Sequence, residues 1–345
     1  MKYITFSMVC LSIAITFTFC SCNTDVETIK INEPEISTQN AKLYDNYLTK
    51  LRDYKASKHK IAMVWFDNSH LYPNSQGQQI KAIPDSIDYI VLTNPYSINK
   101  ENLENMIKLR EKKSMKFLYE ISFEKIKAVY TLQKKAFFEV PENKNKKYKS
   151  FNDYLTDSVK TSFDICSKYN YDGIVISYNG KFKLYMEDSD KKLLSEWENN
   201  FIGMAMNWAK KHIDKTLIFQ GKPQNVTNKE IFKVSKYIII PCFEEVSEAG
   251  VMKCINSAVV EGVPLNKFLP AVMMYTFDAT DSKTGYWVGK KHAVLGAAKW
   301  ASAQHELYDI AGLAMININS DYYHPSFTYP VVRKAINILN PSIKN

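Results

Sequence analysis

The chain has 345 residues, a net charge of +9 and 13% aromatic residues. Its six histidines show no H-x-x-x-H spacing and its six cysteines no C-x-x-C spacing, so no metal or other cofactor is expected. The positive charge comes from scattered lysines and one dense run, ENKNKKYKS (142–150). With no recognition motif beside it, that run reads as a solvated loop, not a nucleic-acid interface.

The chain opens on MKYITFSMVCLSIAITFTFCSCN, one lysine followed by an apolar run too short for a stable membrane span, which reads as a secretory signal. Ser21 directly before Cys22, just after the apolar run, resembles the lipobox of bacterial lipoproteins. That resemblance implies a signal over 1–22, lipidation of Cys22 and anchoring in the outer membrane. Asp25 and Glu27 point to the outer surface of a Bacteroidetes-type cell; the periplasmic face is the alternative. Residues 23–40 are polar and aperiodic and read as a tether. The remaining residues, 41–345, suffice for one large domain. Cys166, Cys242 and Cys254 read as mostly buried thiols, with a disulfide between Cys242 and Cys254 left open.

Eight short apolar runs then recur: KIAMVWF (60–66), DYIVLT (88–93), MKFLYEI (115–121), DGIVIS (172–177), TLIFQ (216–220), KYIIIP (236–241), LPAVMMY (269–275) and IAGLAMINI (310–318). Near-continuous apolar runs of this length suit strands covered on both faces. Helical patterns separate most of them. In 151–170, Phe151, Tyr154, Leu155, Val159, Phe163 and Cys166 fall near three- and four-residue spacing. The alternation predicts an α/β fold, a single-domain (β/α)8 TIM barrel. An open doubly wound sheet is disfavoured, because no G-x-G-x-x-G or P-loop follows an early strand.

A barrel places function at the C-terminal ends of its strands. Those tips are rich in aromatics and amides and poor in acids. Aromatic faces stack on sugar rings, and amides hydrogen-bond hydroxyl pairs. Trp65, Asn94, Tyr119, Glu120, Tyr178, Asn179, Gln220, Tyr275, Asn317 and Asp321 are the candidate glycan-binding lining. Trp287, in KTGYWVGKK after strand seven, is a candidate rim platform, with packing beneath its loop as the alternative.

The fourth strand carries D-G-I-V-I-S-Y-N from Asp172. It resembles D-G-x-D-x-D-x-E of glycoside hydrolase family 18, the family of chitinases and endo-β-N-acetylglucosaminidases. KIAMVWFDNS, SMKFLYEISFEKI and NSDYYHPSFTYPVVRKAINILNP resemble the Bacteroides endoglycosidase-like branch. In that family the final Glu protonates the leaving oxygen. The Asp two residues earlier orients the substrate's N-acetyl group, which acts as nucleophile. Here the alternating positions hold Val175, Ser177 and Asn179, and only Asp172 survives. An amide cannot act as a general acid near neutrality, and Ser177 brings no charge to an oxazolinium-like intermediate.

The resemblance therefore implies a lipid-anchored protein that binds N-acetylglucosamine-containing glycans without cleaving them, with host N-glycan cores as one source. Neighbouring glycan-uptake proteins would be its partners. One alternative is a protein-interaction scaffold. Another is a glycosidase whose acid has moved to Glu120, Glu244 or Asp278; the facing of Glu120 is open, since a shift of one residue reverses it.

Overall fold

Val, Ile, Leu and Phe dominate the eight apolar runs, and burial on both faces makes each of them a strand. The computed structural model describes residues 39–341. Cys22 and nearly all of the 23–40 tether lie outside the described residues. The chain divides into two units, one ending at Asn46 and one beginning at Tyr47. In the first, Asn40 Oδ1 accepts a hydrogen bond from Leu43 N at 3.0 Å, which starts helix α1 (Ala41–Ala56).

Among the described residues, the second unit holds all the strands. They are β1 (Ile61–Phe66), β2 (Tyr89–Leu92), β3 (Lys116–Ser122), β4 (Gly173–Tyr178), β5 (Thr216–Gly221), β6 (Ile238–Pro241), β7 (Phe268–Met273) and β10 (Gly312–Ile316). A short antiparallel hairpin, β8 (Tyr286–Trp287) and β9 (Lys291–His292), stands between β7 and β10. The eight longer strands close in the order β1-β10-β7-β6-β5-β4-β3-β2, and every neighbouring pair is parallel. This is the expected (β/α)8 barrel, and each expected strand lies within a few residues of its run.

The helices are α2 (Lys100–Lys113), α3 (Phe123–Glu139), α4 (Phe151–Lys168), α5 (Asp188–Lys211), α6 (Glu230–Val234), α7 (Glu248–Ala258), α8 (Ala293–Ser302) and α9 (Pro330–Leu339). Asn99, Ser122, Ser150 and Ser247 cap α2, α3, α4 and α7 by accepting from a backbone N–H of the first turn, satisfying donors that a helix start leaves unpaired. The run 142–150 sits between α3 and α4 and is mostly exposed, as a solvated loop should be. Two single-turn 3-10 helices, Gln76–Gln78 and Ile80–Ala82, replace an α-helix between β1 and β2.

Alternation sorts the side chains into two cores. Met63, Trp65, Tyr89, Val91, Leu118, Val175, Ile218, Ile239, Leu269 and Ala314 fill the barrel interior. Their neighbours in sequence, among them Val64, Ile90, Tyr119, Ile174, Ile176 and Tyr178, pack outward under the helices.

The D-G pair of strand four has a structural job at the opposite end from the open face. An added Cβ at Gly173 would lie 2.0 Å from the Thr216 carbonyl oxygen, so only glycine lets β4 and β5 meet there. Asp172 takes Arg110 Nε at 2.8 Å, Arg110 Nη2 at 3.0 Å and Phe117 N at 2.8 Å. Asp172→Ala should lower the unfolding free energy by about 3 kcal/mol, because it strands a half-buried guanidinium and a backbone donor. Denaturant unfolding measures this.

Candidate functional site

At the C-terminal mouth β3, β4 and β5 turn polar side chains inward. In register, Glu120 stands beside Val175, Ser122 beside Ser177, and Ser177 beside Gln220. Parity with Leu118 and Val175 turns Glu120, Ser177 and Gln220 toward the barrel axis. This settles the facing of Glu120. Gln220 Nε2 lies 3.4 Å from both Glu120 Oε1 and Ser177 Oγ, and Lys125 Nζ lies 3.1 Å from Glu120 Oε2. Gln220 Oε1 is buried with no protein partner. It is an acceptor that a ligand hydroxyl or amide N–H can satisfy.

Asn179 caps this column. Its backbone N–H donates to Glu124 Oε1 at 2.7 Å, and its carbonyl accepts from Asn225 Nδ2 at 2.8 Å. The backbone is clamped while the side-chain amide makes no hydrogen bond within the described protein. Burial pushes the Glu124 carboxyl above its usual range, against the lowering effect of the Asn179 N–H, and its second oxygen is buried without a partner. Glu124 was not a sequence candidate. Its position in the first turn of a helix directly after a strand was the available signal.

Several candidates are not in the mouth. Tyr119 and Tyr178 point outward into the helix layer and are fully buried, with Tyr119 Oη donating to the Ser162 carbonyl at 2.5 Å and Tyr178 Oη to Glu198 Oε2 at 3.3 Å. Each sits next to an inward residue, and alternation forbids both neighbours from facing the axis. Asp321 is wholly buried and accepts from Tyr275 Oη at 2.9 Å and Val332 N at 2.8 Å, so it caps α9 and does not meet ligand. Desolvation holds its carboxyl above the usual range. Trp65 faces inward but is closed into the barrel core.

Trp287 packs beneath its loop, the alternative reading. A Cβ on Gly296 of α8 would meet its ring at 2.1 Å. Trp287→Ala should therefore cost about 3–5 kcal/mol of stability, read by thermal and denaturant unfolding, rather than act selectively on binding.

Asn94 remains near the rim, its N–H and carbonyl both held by the Asn68 amide at 2.9 Å. Tyr275 is half-buried and Asn317 is exposed at the exit of β10. Glu244 is exposed. Asp278 is exposed too, and hydrogen bonds from Thr280 hold its carboxyl below the usual range, which unsuits it as a proton donor at neutral pH. Cys242 and Cys254 are free thiols close enough to shift one another's acidity, and Cys166 is free and buried.

The aromatic surface lies on the loops instead. Among the described residues nine Phe and Tyr side chains are exposed. Eight of them, Tyr72, Tyr96, Phe182, Tyr185, Phe243, Phe277, Tyr323 and Phe327, follow the C-terminal ends of barrel strands; the ninth is Tyr47 on α1. Phe277 and Tyr323, from different loops, pack with ring centroids 5.6 Å apart. Two cavities open among these loops. One of about 630 Å³ is lined by Phe243, Glu244, Met273 and Tyr286, and one of about 610 Å³ by Phe182, Leu184, Asn225 and Thr227. Among the described residues, no cluster of three or more His, Cys, Asp or Glu side chains could hold a metal ion.

The profile of glycoside hydrolase family 18, BT1044-like, matches residues 24–338. The chain belongs to that family. Among solved structures, BT1044 with a Glu-to-Gln substitution aligns at a TM-score of 0.61 and 19% identity, over 90% of this chain and 96% of its own. An endo-β-N-acetylglucosaminidase from Cordyceps militaris aligns at 0.60 and 15% identity, over 86% of this chain and 96% of its own. A variant of the Cordyceps enzyme in complex with fucosyl-N-acetylglucosamine-Asn aligns at 0.59 and 15%, over 85% and 95%. At these identities the structures speak for the fold. No curated protein sequence matches the chain. In this family-18 barrel, the inward positions of β4 above Gly173 are Val175 and Ser177, and Asn179 follows directly after the strand; none of the three is a carboxylate.

Proposed function

We propose that this family-18 chain is a glycan-binding protein without glycosidase activity, taking N-acetylglucosamine-containing glycans at the C-terminal mouth of its barrel. The observation that carries this reading is the β4 column, which lacks an acid at the end of the barrel whose loops carry eight exposed aromatics. Removing general acid–base help alone costs on the order of 10² to 10⁴ in rate. Here the acid position is an amide and the position that would stabilise the substrate's N-acetyl group is a hydroxyl. The ring faces, the Asn179 amide and the Gln220 carbonyl supply what saccharide binding needs: apolar stacking surfaces and paired hydrogen-bond groups. The Cordyceps relative's complex with fucosyl-N-acetylglucosamine-Asn supports N-glycan cores as the ligand class.

In this reading the lipobox-like Ser21–Cys22 pair is the point of a lipid anchor on the outer membrane, from which the protein holds glycan for neighbouring uptake proteins. Among the described residues no helix is long and apolar enough to cross a membrane. Calorimetric titration with N-acetylglucosamine oligosaccharides and fucosylated N-glycan cores tests the binding. Saturation at millimolar concentration or below is expected, and no heat with any of them overturns it.

One observation favours a second reading, a glycosidase with a relocated acid. Glu120 faces the axis one strand away from the altered column, and adjacent strands are about 4.8 Å apart. Its carboxyl oxygens lie 3.1 Å from Lys125 Nζ and 3.4 Å from Gln220 Nε2. Slow turnover abolished by Glu120→Gln would establish this reading.

A further inference from the structure

The opposite end of the barrel carries a second concentration of chemistry. A cavity of about 370 Å³ opens at the N-terminal mouth, among Arg52, Lys55, Lys58, Lys116, Lys236 and a floor of Tyr89 and Tyr237. It shares Lys58, His59, Ile61 and Tyr237 with a neighbouring cavity of about 560 Å³. The two tyrosine rings meet edge to face with centroids 5.9 Å apart.

Five cationic side chains thus surround one space, and the only carboxylate lining the first cavity is already engaged. Asp88 Oδ1 pairs with His59 Nε2 at 3.0 Å, and Oδ2 accepts from Ala62 N at 2.9 Å. Lys55 Nζ donates to the Ile87 carbonyl and Arg52 to the Lys112 carbonyl. Lys58, Lys116 and Lys236 have no carboxylate within ion-pair distance among the described residues.

Lys116 begins β3 and Lys236 leads into β6, yet both ammoniums reach over the same Tyr89 ring, at 5.9 and 5.6 Å from its centroid. Desolvation and then the Lys116 charge lower the Lys236 pKa. Two unneutralised cations turned onto one aromatic floor repel each other unless an anion lies between them.

We propose that the N-terminal mouth of the barrel is a binding site for a phosphate-bearing ligand, with Lys116 and Lys236 as its principal contacts and Tyr89 and Tyr237 as the surface for the ligand's organic part. A phosphate offers several strong acceptor oxygens to convergent ammoniums, and charge-assisted hydrogen bonds are about twice as strong as neutral ones. The paired cavities leave room for a group larger than the ion itself. The site is separate from the C-terminal mouth and does not depend on the glycan reading. A phosphosugar monoester and the phosphodiester of a lipid headgroup share this chemistry.

The test titrates the full chain with inorganic phosphate, glucosamine 1-phosphate and glycerophosphoglycerol, alongside a Lys116→Gln/Lys236→Gln variant with an unchanged unfolding transition. Saturable binding is expected, weakened roughly tenfold or more in the variant and by rising salt. Preference for the monoester identifies a free phosphosugar, and preference for the diester a headgroup. No saturable binding of any probe up to about 10 mM, or binding unchanged in the variant, overturns the proposal. Glycan titration of the same variant should be unaltered, so failure here leaves the C-terminal site standing and the reverse holds as well.

Discussion

Replacing Tyr72, Tyr185 and Phe277 together by Ala should weaken binding of an N-acetylglucosamine oligosaccharide by roughly tenfold to a thousandfold, since each aromatic contact contributes about 0.5–1.5 kcal/mol beyond simple burial. The three rings stand on the loops after β1, β4 and β7 and are 87%, 90% and 68% exposed. Their removal opens no cavity, so the unfolding free energy should move by no more than about 0.5 kcal/mol per site. Calorimetric titration and denaturant unfolding of the same preparations separate the two effects. Ile213→Ala is the control, as Ile213 is 92% exposed on the segment leading into β5, away from the mouth. Equal binding by the triple variant and the parent would remove the loop aromatics from the site.

Val175→Asp should lower the unfolding free energy by about 3 kcal/mol or more, since it buries a charge without a partner. Val175 is fully buried and faces the axis beside Glu120 in register. A carboxylate there would stand next to a second one across neighbouring strands, and like charges so placed raise each other's pKa. Glu120→Gln in the same chain should recover part of the loss, with a coupling of about 1 kcal/mol. The cost should also fall as pH drops toward the carboxylate range, because the protonated acid carries no charge to bury. A Val175→Asp chain as stable as the parent would mean that the interior still accommodates the family's acid. The expected instability follows from the packing of Val175 among the apolar side chains of the barrel interior.

The barrel was legible in the sequence because strands buried on both faces leave long apolar runs, and DGIVIS or KYIIIP can hardly be anything else between amphipathic helices. The inward column of β4 was legible too, since parity from Gly173 fixes Val175 and Ser177, with Asn179 next after the strand. Residue type alone points Tyr119 and Tyr178 to the mouth, but parity overrules it: each adjoins an inward residue, Glu120 or Ser177, and so must face the helices. Asp321 looked like a ligand-facing acid at a strand exit, but its role as the cap of α9 depends on contacts with Val331 and Val332, ten and eleven residues on. The exposed rings at Tyr72, Phe182, Tyr185, Phe277 and Phe327 sit in loops with no period. There the sequence distinguishes an exposed aromatic from a buried one only through the fold. The basic N-terminal mouth was hidden for a similar reason, as Lys58, Lys116 and Lys236 are far apart in the chain and meet only when the barrel closes.

The most direct test is native mass spectrometry of the chain from residue 23 onward with a panel of fucosylated and plain N-glycan cores and chito-oligosaccharides, which reports complexes and products in one spectrum. We expect intact complexes at the glycan's full mass and no cleaved product after prolonged incubation. Cleaved product that disappears in the Glu120→Gln chain would contradict the binding-only reading and make the protein a glycosidase with its acid on β3.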